Sequence, residues 1–128
     1  MKYLYKFESY DDQFGKFKSE NSELIDEIKD ILLDCEDVEI KSTFWICKYY
    51  VTKKNPVDSI RIILQDTQNR YFKIEQIQPI LGRIKTVTEL EGFTINLDIP
   101  SEDIELPFNS FIEEFNGEEL FRLGMFIY

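Results

Sequence analysis

Residues 22–35, SELIDEIKDILLDC, constrain what this chain can fold into more than any other stretch. Leu24, Ile25, Ile28, Ile31, Leu32 and Cys35 recur at helical spacing, which predicts an amphipathic helix with one face that must be buried. The opposite face carries Glu23, Asp26, Glu27, Asp30 and Asp34, with Lys29 as its only cation. Glu23 and Asp26 lie near the positive end of the helix dipole, whereas Asp30 and Asp34 lie near the negative end and are disfavoured there. The pairs Glu23–Glu27, Asp26–Asp30 and Asp30–Asp34 repel one another at roughly 0.2–0.5 kcal/mol each. Burial of each large apolar side chain contributes roughly 1.5–3 kcal/mol, so the helix forms in spite of its charges. It needs an apolar layer to lie on, and the remaining sequence reads largely as strands.

The strand signals run along the chain. Residues 2–7 alternate Tyr3, Tyr5 and Phe7 with Lys2, Leu4 and Lys6 and suit an opening strand. The segment SYDDQFGKFKSEN reads as a loop or short irregular helix, with Phe14 and Phe17 either in the core or exposed as aromatic contacts. Asn21 or Ser22 is placed to cap the acidic helix. Residues 38–52 are dense in aromatic and β-branched side chains and read as a long strand, bent near Ser42. Trp45 falls on the side of Cys47, Tyr49 and Val51, and Phe44 and Ile46 point the other way. Two apolar faces predict a central strand covered on both sides.

A turn at Lys53, Lys54, Asn55 and Pro56 leads into strands at 60–65 and 70–77, giving an antiparallel meander. Residues 78–88 are ambiguous. Ile77, Ile80, Leu81 and Ile84 have helical spacing, but Pro79, Gly82 and the run Thr86, Val87, Thr88 disfavour a helix. An irregular connection into a strand at about 84–88 is expected. Residues 93–99 alternate cleanly and form a half-buried strand, ended by Pro100 and an acidic connector at 101–105. Pro107 opens a second helix bearing Phe108, Phe111, Ile112 and Phe115, which Asn116 and Gly117 stop. The apolar tail, 120–128, reads as a last strand inside the sheet. The expected fold is α+β: a mainly antiparallel sheet of five to seven strands, the acidic helix near the N-terminus and a second helix near the C-terminus.

A chain of 128 residues with no internal repeat or linker-like segment is read as one domain, 1–128. No apolar run is long enough to span a bilayer, and charges interrupt the first residues where a signal peptide needs an apolar stretch. A cytoplasmic protein without membrane contact is expected. Cys35 and Cys47 form no C-x-x-C pair and are expected as buried free thiols.

The sequence contains no histidine, so the commonest general base and the commonest transition-metal ligand are both missing. No nucleophile elbow, phosphate-binding glycine loop or EF-hand spacing occurs. Neither catalysis nor a cofactor or metal is expected. Small-ligand binding or catalysis beside the sheet remains the alternative, with Trp45, Tyr49 and Tyr71 as wall residues, or core residues in the plainer reading. A third reading is an acidic subunit of a larger assembly, its aromatic tail serving as an edge strand for a partner.

The net charge of −10 opposes direct binding of nucleic acid, whose phosphates require clustered lysine and arginine. The charge is also uneven. Residues 21–39 carry eight anions and one cation, residues 40–85 three anions and nine cations, and residues 86–128 ten anions and one cation. A carboxylate face of this kind either serves solubility or docks a basic partner. The expected role is a small inhibitor, of the immunity-protein, antitoxin or phage-encoded kind. It would cover a basic and nucleic-acid-cleaving partner with Glu23, Asp26, Glu27, Asp30 and Asp34, aided by Phe14 and Phe17 as anchors.

Overall fold

The computed structural model describes residues 13–128, and the strand expected at 2–7 lies outside them. The fold is α+β. Two consecutive helices, α1 (Gly15–Glu20) and α2 (Ser22–Leu32), lead through a 3-10 turn (Leu33–Val38) into the hairpin of β1 (Ile40–Thr52) and β2 (Asn55–Asp66). A short β3 (Phe72–Lys73) and a 3-10 turn (Ile74–Gln76) precede α3 (Gln78–Leu90). Then come β4 (Ile95–Ile99), β5 (Ile104–Pro107), α4 (Phe108–Phe115), β6 (Glu119–Leu120) and β7 (Arg122–Ile127). Among the described residues, β1, β2, β7, β4 and β5 form, in that order, an antiparallel sheet, and β3 pairs with β6 in a separate ribbon.

The register separates the two faces of the sheet. Ile46, Ile60, Ile127 and Ile95 lie side by side on the inner face, as do Phe44, Ile62, Met125 and Leu97. These side chains share one buried cluster with Leu24, Ile28 and Ile31 of α2, Leu81 and Ile84 of α3, and Phe111 of α4. The helices therefore cover the inner face. The apolar stripe that forces α2 into a helix is also what anchors it against the inner face, beside β1.

Five expectations are corrected here. Residues 78–88 are helical, because burial of Ile80, Leu81, Ile84 and Thr88 outweighs their weak propensity. Pro79 sits in the first turn, where no intrahelical partner for its N–H is needed. Residues 70–77 contain only the two-residue β3 before the 3-10 turn, so the meander ends at β2 and the tail strand β7 takes the expected place beside it. At that point Asp66 accepts bonds from the Gln68 and Arg70 amides and from the Arg70 guanidinium, which turn the chain out of the sheet. The Arg70 hydrogen bond holds the Asp66 carboxyl below its ordinary range.

The strand at 38–52 is β1, an edge strand and not a central one, and Trp45 on its outer face is 40% exposed. The acidic connector at 101–105 ends within β5, which closes the opposite edge. Asn21 occupies the position before α2 but does not cap it: its side chain donates instead to the Phe17 carbonyl, 2.9 Å away.

The outer face is concave. Edge strands of a flat five-stranded sheet stand about 19 Å apart, four spacings of roughly 4.8 Å. Yet the Tyr49 hydroxyl of β1 donates to the Glu105 carboxylate of β5, and Asn96 of β4 donates 2.8 Å to the same carboxylate. Two side chains cannot span a flat sheet, so the sheet coils until its corners meet over β7. Tyr49 stacks on Tyr128 at 4.1 Å beneath this link.

Candidate partner-binding surface

Helix α2 and the turn after it distribute their carboxylates over three surroundings. Glu23 sits beside Glu20 and Glu91 at the start of the helix, in a shallow recess without cations. Asp26 faces the β1 side, near Lys18 and Lys29. Glu27 and Asp30 line a groove of about 560 Å³ between α2 and α3. Asp34 lies past the end of α2, on the 3-10 turn, where the guanidinium of Arg83 from α3 binds it. That contact answers the conflict between Asp34 and the negative end of the helix, with a cation supplied by a neighbouring element.

The other four carboxylates are exposed, and none has an ion pair among the described residues. Lys29, the cation within α2, extends over the Phe44 ring at 5.1 Å. Four of the nine cations of the basic middle segment are held elsewhere. Lys48 pairs with Asp58, Arg61 with Asp98, Arg70 with Asp66 and Glu39, and Lys85 with Glu89.

The groove has an apolar floor of Ile31, Pro79 and Val87, with Gly82, Arg83 and Thr86 completing its wall. Gly82 stands in the middle of α3 with an ordinary helical backbone, and a Cβ there would meet no heavy atom within 4 Å. Glycine costs a helix interior about 1 kcal/mol relative to alanine. Neither backbone conformation nor packing among the described residues accounts for that cost. The α3 side of the groove was not expected, because Pro79, Gly82 and the threonines masked the helical spacing of Ile77, Ile80, Leu81 and Ile84.

Phe14 is 3% exposed and belongs to the core, and Phe17 is half-buried with its ring edge-on to Phe93 at 6.2 Å. Their plainer reading as core residues is the one that the structure shows. Likewise, the C-terminal strand β7 lies between β2 and β4, so it offers no free edge to a partner.

The concave face holds a second recess, of about 290 Å³, whose walls include Arg61, Asp98, Glu105 and Phe126. Arg61 and Asp98 are nearly fully buried and form a two-pronged pair, with Nη2 donating 2.8 Å to Oδ2. The Arg61 guanidinium lies over the Phe126 ring at 3.9 Å. Arg61, Asp98 and Glu105 each already have a partner within the fold. Burial and the bond to Glu105 push the Tyr49 hydroxyl far above its ordinary range, so it remains a neutral donor. Of the three aromatic wall residues expected for a ligand pocket, Tyr49 and Trp45 share this outer face, whereas Tyr71 packs on Phe121 at 5.6 Å. The network serves to hold the coiled sheet.

No group of three or more His, Cys, Asp or Glu residues is arranged to hold a metal ion among the described residues, and no helix among them is long and apolar enough to cross a membrane. No protein-family model, curated protein or solved structure matches the chain.

Proposed function

We propose that this chain is a small acidic inhibitor, of the immunity or antitoxin kind, that acts in the cytoplasm on a basic partner protein. The observation that carries the reading is the carboxylate set Glu23, Asp26, Glu27 and Asp30, which stay exposed without ion pairs among the described residues while Arg83, the arginine beside Glu27 and Asp30, is engaged by Asp34. Like charges kept together on one helix repel one another and lower its stability. A cationic surface brought against them relieves that repulsion on binding. A nuclease is the natural partner, because the groove that holds its phosphates is positive and carboxylates compete for the same field. Asp34 is not part of this free charge, since Arg83 neutralises it.

The test compares the chain with a variant carrying Glu23→Lys, Asp26→Lys, Glu27→Lys and Asp30→Lys. Proteins of the native host retained at low salt are identified, then assayed for nucleic-acid cleavage with and without the chain. The wild type should retain a basic protein and suppress its cleavage, and the variant should do neither while keeping its circular dichroism spectrum. Retention of the same proteins by a folded variant would refute the reading.

A further inference from the structure

We infer that the groove between α2 and α3 receives an arginine side chain presented by the basic partner; the inference rests on the inhibitor reading and names the contact at its centre. The groove is an amphipathic receptacle. Ile31, Pro79 and Val87 give it an apolar floor, and Glu27 and Asp30, one helical turn apart, place two carboxylates without cation partners on its rim. Arginine matches both parts. Its aliphatic stem covers apolar surface, and its planar, weakly hydrated guanidinium fits carboxylates in a fork. Arg83, the groove's own cation, is bound by Asp34 and leaves that position open. The volume of about 560 Å³ is of ligand-pocket size, which leaves room for a neighbouring apolar side chain on the same segment.

Gly82 is the independent sign of an occupant. A residue that weakens the middle of α3 without a steric reason among the described residues keeps the groove open. Any larger side chain at that position would project into space that none of the described residues fills.

The probe is a short synthetic helical peptide with arginine and leucine on one face, titrated calorimetrically into the full chain at low salt. Versions with lysine or glutamate in place of arginine serve as controls. Amide shifts of Ile31, Gly82 and Val87 are followed by NMR. The arginine peptide should bind most tightly and move those three amides. Gly82→Leu, which fills the groove without altering charge, should weaken it about tenfold. Should Gly82→Leu fail to fold, Gly82→Ala must show a smaller loss in the same direction. If Gly82→Leu binds like wild type while the four-lysine variant does not, the groove proposal is overturned and the acidic-surface reading stands. Binding that is indifferent to both variants overturns both.

Discussion

Gly124→Ala would put a Cβ 2.8 Å from Arg61 Nη1 and closer still to a carboxylate oxygen of Asp98. Those side chains grip each other beneath the outer face and are nearly fully buried, so the new atom forces the fork apart. Breaking a buried ion pair costs roughly 3–5 kcal/mol, and Gly124→Ala should lose about 3 kcal/mol in urea unfolding. A midpoint unchanged from wild type would show that the pair shifts without penalty. The two thiols differ in the same local way. Burial, with help from the Asp34 charge, pushes the Cys35 thiol up to about 11, whereas Cys47 is half-buried on the outer face. A disulfide reagent at pH 8 should therefore modify Cys47 in the native chain and Cys35 only in denaturant. Equal rates in the folded state would contradict that assignment. Both cysteines were expected as buried free thiols; both are free, but only Cys35 is buried.

At the scale of elements, α3 shows where local reasoning succeeds and fails. Its apolar residues announced a helix, and its proline, glycine and threonines argued against one. Burial decided, since a helix in a protein draws most of its stability from the face it packs. The threonines are accommodated through bonds from Thr86 and Thr88 hydroxyls to the carbonyls of Gly82 and Lys85. Gly82→Ala should accordingly raise the stability of the fold by about 1 kcal/mol, read from the denaturant midpoint. A stability loss would mean that glycine is required by the backbone. The outcome differs for β1. Alternation placed its residues on the correct faces, with Phe44 and Ile46 inward and Trp45 and Tyr49 outward, but not its place at the edge. Its outward Tyr49 is explained by sideways packing, as it meets Phe126 at 4.9 Å and stacks on Tyr128.

Across the whole molecule, the basic middle segment and the acidic flanks neutralise each other only in part. Arg83 reaches back to Asp34 and Arg70 to Glu39, but Glu23, Asp26, Glu27 and Asp30 have no ion pair among the described residues. Association with a basic partner steered by that potential should slow by about 10- to 100-fold as salt rises from low to well above physiological levels. The same titration with the four-lysine variant should be flat or reversed. Stopped-flow rates independent of salt for the wild type would exclude steering by this face.

The linear chain was sufficient to determine the α+β class, the acidic amphipathic helix, the first hairpin and the C-terminal helix, because each depends on periodicity and turn chemistry within a few neighbouring residues. Tertiary structure alone decided the rest. The tail was inserted between β2 and β4, the sheet coiled until Tyr49 met Glu105, and Asp34 found Arg83 while Asp30 found no cation. Those outcomes depend on which distant segments share space, and side-chain spacing along the chain carries no record of that.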